Sequence, residues 1–221
     1  MIEYDKDAIV YPYITSYLRK ELCASDGILG ELEAYAAEHS VPIVQPETAQ
    51  FLKMLVHTKR PLRILEVGCA IGYSAILFAG GLAQGGTVTT LEWDHDLAQL
   101  ARENIVRAGL SEQIHVVEGD AKEILPTLTG EYDMIFLDGP KAHYIYMLND
   151  CIRLLKPNGL LIADNVLYKG MTADDAHVIR RKITIVKRLR RFISAQMQRK
   201  ELVCSLLPLG DGVTVAVKIA E

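Results

Sequence analysis

The stretch Tyr132-Asp133-Met134-Ile135-Phe136-Leu137-Asp138-Gly139-Pro140-Lys141 carries an apolar run of strand length into an acid, a Gly-Pro turn and a lysine. A second apolar run, Leu160-Leu161-Ile162-Ala163, ends in Asp164-Asn165. If the two are neighbouring parallel strands, Asp138, Asp164 and Asn165 meet at one sheet edge with Lys141 beside them. Three oxygen ligands next to an amine suggest a metal-assisted reaction on a hydroxyl. The plainer alternative is that both acidic sites cap turns and that Lys141 is a solvated surface lysine.

A further group of residues lies upstream. Glu66-Val67-Gly68-Cys69-Ala70-Ile71-Gly72-Tyr73-Ser74 turns from a strand into a helix, where small residues let a ligand approach the backbone and the helix start offers unpaired amides. A dinucleotide fingerprint would need glycines at 68, 70 and 73, and Ala70 and Tyr73 break it. Glu66 would also repel a phosphate, yet it suits a ligand with an ammonium group, such as a methionine moiety. Glu92 closes the next strand, where a carboxylate can take both hydroxyls of a ribose. Trp93, the only tryptophan, follows and could stack on an adenine or simply pack. Asp120-Ala121 falls where an adenine edge would lie, although an acid there also serves as a helix cap.

These residues need a sheet to bring them together. Residues 1–60 read as helices: Ala8 to Leu22, a second capped by Asp26 and running to about Glu38, and a third from Pro46 to near Thr58. Tyr4, Tyr11, Tyr13 and Tyr17 either pack amphipathically or line a site or interface. From Arg63, β-rich runs (Arg63–Val67, Thr87–Leu91, Ile114–Val117, Asp133–Leu137, Leu160–Ala163) alternate with helical ones (Tyr73–Leu82, Leu97–Ala108, Ala121–Leu128, His143–Leu155). That alternation predicts a mainly parallel sheet with helices on both faces. A long helix from Asp174 to Lys200 then precedes Val203–Pro208 and Val213–Ile219, an antiparallel hairpin about Gly210-Asp211-Gly212. We read one domain, with residues 1–60 a helical part and 61–221 the sheet-based core.

With 50% hydrophobic and 24% charged residues, the composition is that of a soluble globular protein, and no apolar stretch suits a membrane span. The opening Met1-Ile2-Glu3-Tyr4-Asp5 lacks the features of a signal peptide. Cys23, Cys69, Cys151 and Cys204 are scattered, so free thiols in a cytoplasmic setting are expected rather than a zinc site or disulfides.

Taken together, the chain resembles the cation-dependent O-methyltransferases related to catechol and caffeoyl-coenzyme A O-methyltransferases, from about Pro46 to the C-terminus. The resemblance rests on Leu65-Glu66-Val67-Gly68, Gly72-Tyr73-Ser74, Phe136-Leu137-Asp138 with Lys141 three residues on, Ala163-Asp164-Asn165-Val166 and Gly210-Asp211-Gly212-Val213. Ala70 departs from it, since relatives often carry a bulkier residue there. The resemblance implies an α/β, Rossmann-like class I methyltransferase fold, with a seven-stranded, mostly parallel sheet, a C-terminal antiparallel hairpin and extra N-terminal helices. It implies S-adenosylmethionine held by Glu66, Gly68, Ser74, Glu92, Trp93, Asp120, Ala121 and Asp138. It also implies Mg2+ or another divalent cation on Asp138, Asp164 and Asn165, with Lys141 accepting the substrate proton beside Asp138. A homodimer is a common state in such relatives.

The acceptor is addressed by charge. Between Arg180 and Lys200 stand nine basic residues and no acid, while the rest of the chain holds 15 basic against 28 acidic residues. On a helical wheel Ile179, Ile183, Val186, Leu189, Ile193 and Met197 form a buried stripe. Arg180, Lys187 and Arg191 fall on one flank, Arg181, Arg188 and Arg199 further round, and Arg190 near the apolar side. A solvated face is the bland reading, and a polyanion is the sharper one. Among bacterial relatives the chain most resembles the tRNA 5-hydroxyuridine methyltransferases, which make 5-methoxyuridine at the wobble position. O5 and O4 of that base are a vicinal pair, as in a catechol, and an anticodon loop offers splayed bases. The alternatives are a small hydroxylated aromatic of catechol or caffeoyl-coenzyme A type, a non-catalytic RNA-binding protein, and, least favoured, a nicotinamide dehydrogenase.

Overall fold

A computed structural model describes residues 9–219. Tyr4 and Ala8 lie outside that range. Pro12 opens helix α1 (Pro12–Glu21) and Pro46 opens α3 (Pro46–Lys59), at positions where a missing amide costs nothing; α2 (Gly27–His39) lies between them. No residue of α1 is buried, and Tyr11, Tyr13 and Tyr17 are exposed, so amphipathic packing of these tyrosines is not what is found. The helix is tied down instead by Arg19, whose guanidinium pairs in bidentate fashion with Glu47 at 2.8 and 3.0 Å.

The strands are β1 (Arg63–Val67), β2 (Thr87–Glu92), β3 (Ile114–Glu118), β4 (Tyr132–Leu137), β5 (Leu155–Ala163), β6 (Leu202–Leu207) and β7 (Val213–Lys218). They form one sheet of order β3-β2-β1-β4-β5-β7-β6. The first five run parallel, and β7 is antiparallel to both neighbours, which is the expected closing hairpin. Between them run α4 (Tyr73–Ala79), α5 (His95–Arg107), α6 (Ala121–Ile124), α7 (Tyr144–Leu154) and α8 (Ile183–Gln198).

Alternation along each strand splits the core between two faces. Leu65, Val67, Ile135 and Leu137 share a buried cluster with Leu148 of α7 and Leu189 and Phe192 of α8. Ile64, Met134, Phe136 and Ile162 share the other with Leu52 of α3, Phe78 of α4 and Ile105 of α5. Strand order reverses between β1 and β4, so the crevice at their carboxyl ends is where an open α/β sheet receives ligands.

Five expected elements differ by three residues or more at an end; two of them are the first helix, which starts at Pro12 instead of Ala8, and α4, which stops at Ala79 instead of Leu82. The helix expected over Ala121–Leu128 gives way after Ile124 to a 3-10 turn over Leu125–Thr127, where Pro126 has no amide to continue it. β5 begins at Leu155 instead of Leu160, with a register shift against β4. The long helix expected from Asp174 starts only at Ile183. The Asp174 side chain accepts from the Ala176 amide, 3-10 turns cover Asp175–His177 and Arg180–Lys182, and Val178 and Ile179 are extended. The buried stripe moves accordingly: Val186, Leu189, Phe192 and Gln196 are buried, whereas Ile179, Ile183 and Met197 are exposed. Arg190 does turn toward the body, donating to the carbonyls of Met171 (3.1 Å) and Thr172 (2.9 Å) and pairing with Asp175 at 2.6 Å.

Candidate active site

Asp138 and Asp164 each occupy the first position beyond a strand. The Asp138 amide donates to the Val67 carbonyl at 2.8 Å, and the Asp164 amide to the Leu137 carbonyl at 2.9 Å. Each carboxylate is therefore hung from the neighbouring strand. The Tyr144 hydroxyl, fully buried, lies 3.1 Å from the Leu137 carbonyl oxygen and 3.3 Å from that of Asp164. Lys141 opens a 3-10 turn after Pro140, with its ammonium 3.2 Å from the Asp138 carboxylate. Asn165 is left-handed (φ 57°), a conformation asparagine tolerates, and its amide donates to the Asp164 side chain at 2.6 Å.

Asp138, Lys141, Asp164 and Asn165 line one cavity of about 450 Å³, together with Gly68, Ser74, Glu92 and Trp93. Burial raises both carboxylic acids, and the Asp138 charge pushes Asp164 further, to about 8; Lys141 opposes the shift. Two buried acids beside a single lysine form a site short of positive charge. The described residues contain no cluster of three or more His, Cys, Asp and Glu side chains arranged for a metal; beside Asp138 and Asp164 the cavity offers the side-chain amide of Asn165. Two carboxylates and an amide oxygen are hard donors and fit a hard divalent cation.

A second cavity, of about 340 Å³, shares Gly68, Glu92, Trp93 and Pro140 with the first and adds Gly119, Asp120, Ala121, His143 and Met147. Glu92 stands at the junction. Its carboxylate accepts from the amides of Cys69, Ala70, Trp93 and Asp94 at 2.9–3.1 Å, which fixes it between β2 and the loop after β1. Trp93 is 71% exposed, so it is a wall of both cavities and not a packed core residue. Asp120 is the expected helix cap, accepting from the Lys122 amide at 2.9 Å, and it also lines the second cavity.

Two upstream residues carry constraints beyond the expected ligand contacts. Gly68 (φ 94°), expected to make room for a ligand, lines both cavities. A Cβ there would also come within 2.6 Å of the Asp138 carbonyl oxygen and 2.7 Å of the Gly139 nitrogen. Its smallness lets the ends of β1 and β4 close on each other. Glu66 is fully buried and is not among the residues lining either cavity. One of its oxygens takes the Thr90 hydroxyl at 2.6 Å and the other has no partner. Burial raises its pKa to about 7 against the pull of the Ser74 and Thr90 hydroxyls. An orphaned carboxylate oxygen at the end of β1 suits a ligand carrying an ammonium group.

Several wall residues escaped sequence reading. His143 and Met147 lie one helical turn apart on the cavity side of the α7 start, a spacing that could have marked them. Pro42, Ile43, Val44 and Gln45, between α2 and α3, reach the first cavity from far away in sequence, and no local signal announces them. The basic residues are divided. Arg180 and Arg181 are exposed in the 3-10 turn, Lys187 and Arg191 are exposed one turn apart on α8, and the Arg188 guanidinium lies 5.3 Å from the Tyr146 ring centre.

An open α/β sheet whose switch point joins a nucleoside-sized cavity to a carboxylate-lysine-amide cluster is the architecture of a group-transfer enzyme acting on a hydroxyl. Comparison with known proteins gives the family. Residues 21–219 match the O-methyltransferase family, to which the chain belongs. It is 35% identical over 172 residues to a catechol O-methyltransferase of Niastella koreensis, covering 75% of this chain and 78% of that protein. An O-methyltransferase from Bacillus cereus in complex with SAH superposes with a TM-score of 0.82 at 29% identity, covering 93% of this chain and 97% of that one. TomG from Streptomyces achromogenes, an O-methyltransferase in complex with SAM, gives 0.83 at 26% identity over the whole of both chains. The chain is an S-adenosylmethionine-dependent O-methyltransferase of the catechol and caffeoyl-coenzyme A type.

Proposed function

We propose that this enzyme methylates one of two vicinal oxygens with the help of a divalent cation, and that its physiological acceptor is 5-hydroxyuridine at the wobble position of tRNA. The convergence of Asp138, Lys141, Asp164 and Asn165 on the cavity that shares Glu92 and Trp93 with its neighbour carries the chemical part of the reading. The methyl donor supplies an electrophilic methyl group. A cation at Asp138, Asp164 and Asn165, with Mg2+ the natural candidate, supplies positive charge that makes a bound hydroxyl more acidic.

The chain's own residues do the rest. Lys141, held by Asp138, would accept the hydroxyl proton at Nζ as a neutral amine, its own ammonium proton having first passed to solvent, and the resulting oxygen would attack the methyl in line while the C–S bond breaks and the donor leaves as a neutral thioether. Glu92, held by four backbone amides at the junction of the two cavities, would orient the ribose, and Trp93, Asp120 and Ala121 would enclose the adenine. Fixing donor and acceptor in one crevice provides much of the acceleration, because the encounter is already made.

The acceptor assignment rests on the basic segment. Arg180, Arg181, Lys187, Arg188 and Arg191 have no carboxylate partner among the described residues, in a chain whose remainder is strongly acidic. A small catechol needs no such surface, and a polyanion does. Comparing 5-hydroxyuridine and 5-methoxyuridine in tRNA from cells with and without the gene tests it, and an unchanged ratio rejects it. The second reading, a small-molecule catechol or caffeoyl-coenzyme A-type activity, is favoured by the Niastella koreensis relative. It predicts turnover of free catechols that is indifferent to charge reversal at Lys187 and Arg191. We also hold residues 1–221 to be one domain, with a helical part over 1–60 and the sheet-based core over 61–221, acting in the cytoplasm as a homodimer.

A further inference from the structure

We propose that Tyr146 and Arg188 form a stacking platform for an unpaired RNA base neighbouring the methylated nucleotide, an inference that rests on the tRNA reading above. Tyr146 lies in the first turn of α7, between His143 and Met147, which line the second cavity, yet its own ring is 52% exposed. A large aromatic residue left half in water beside a ligand cavity keeps much of its surface for an outside group. The Arg188 guanidinium stands over its ring, 5.3 Å from the ring centre.

Arg188 has no ion-pair partner among the described residues, unlike Arg190 and Arg199, which pair with Asp175 and Glu201. Its charge is thus held by the ring and left for an external anion. Lys187 and Arg191 flank it on α8, both exposed, and α8 packs against the Lys141–His143 turn that carries the active-site lysine. A second pair of the same kind, Lys182 over Tyr168 at 5.9 Å, belongs to the segment that follows Asn165.

Cation-backed aromatic rings beside a cationic helix suit a single strand whose bases stack while its phosphates meet the lysines and arginines. A duplex presents no free base face, and an anticodon loop does. The platform would hold the loop open so that the target base can enter the cavity over Lys141.

The test measures binding of an anticodon stem-loop by fluorescence anisotropy, with an abasic site placed at each loop position in turn. Tyr146→Ala should weaken binding of the intact loop about tenfold, and Tyr146→Phe should leave it within about twofold. On the loop lacking the stacked base the Tyr146→Ala penalty should vanish. Arg188→Ala should also lower the salt slope by about one, whereas Tyr146→Ala should not. Unfolding midpoints equal to the parent's confirm that the variants are folded. Wild-type affinity in Tyr146→Ala, or a penalty that persists on every abasic loop, overturns the platform while leaving the tRNA reading intact. A parent enzyme that binds the stem-loop no better than a hairpin of equal charge without unpaired bases overturns both.

Discussion

The Tyr144 hydroxyl and the Asp164 carbonyl are 3.3 Å apart, and the same hydroxyl reaches the Leu137 carbonyl at 3.1 Å. One buried proton thus ties together the ends of β4 and β5, whose next side chains are the two carboxylates of the site. Tyr144→Phe removes that tie and little else. We expect a stability loss of about 1 kcal/mol and a Mn2+ affinity weaker by ~10-fold, of the size seen when an outer-shell partner is lost. Electron paramagnetic resonance titration with Mn2+ reads the affinity apart from turnover. Unchanged binding would mean the tie is only structural.

Chelation should abolish methyl transfer, and added Mg2+ or Mn2+ should restore it. Asp164→Ala should lower turnover ~100-fold or more even at saturating metal, because it removes a ligand and leaves Asp138 alone with Lys141. Turnover that survives both treatments would remove the cation from the proposed chemistry.

Glu66 makes stability depend on pH. Its pKa rises on folding from 4.5 to about 7, so the folded protein holds this proton more tightly than the unfolded chain does. The stability it contributes is therefore complete below about 4.5 and is lost as pH climbs to about 7. Glu66→Gln should gain on the parent over that interval, by at most about 3 kcal/mol. Urea unfolding at a series of pH values gives the difference directly, and parallel curves for the two proteins would refute it.

Gly68→Ala should be far more harmful than its one added methyl suggests. The site has φ 94°, and the new carbon would meet the Asp138–Gly139 backbone at 2.6–2.7 Å. Strain of this kind costs on the order of 1–3 kcal/mol before the collision is counted. The relief available is a shift of the turn bearing Asp138, so metal binding should fall along with the unfolding midpoint. A variant that binds Mn2+ normally would show that the turn yields elsewhere.

Charge reversal at Lys187 and Arg191 together should weaken tRNA binding and make it less sensitive to salt, by roughly two in the log–log slope. Catechol turnover at fixed salt should not follow. Filter binding across a salt series supplies the slope.

Much of this was legible in the sequence because it is local. The acid-Gly-Pro-Lys turn and the Asp164-Asn165 pair announce themselves at strand ends, and alternation of strands and helices dictates the parallel sheet that brings them together. What the sequence hid depends on distant or backbone geometry. Gly68 looked like a ligand-binding glycine and does line both cavities, but a second constraint on it comes from a turn 70 residues away in sequence. Glu66 matched a contact position, but alternation along β1 turns it inward beside Thr90. The basic stretch looked like one helix because its apolar residues keep helical spacing, and spacing alone cannot register that Val178 and Ile179 are extended.

Arg190 fastens the segment after Asn165 to α8 by way of the Met171 and Thr172 carbonyls. Because it grips main chain at those two points, the tether is indifferent to which side chains the segment carries there. Apart from Asp175, whose carboxylate the same guanidinium takes, the exposed residues between 173 and 181 can accordingly change while the site's carboxylates stay where the sheet hangs them. The charge carried by that exposed segment and the placement of the carboxylate pair are in this way separable traits, one set by side chains in water and the other by strand ends.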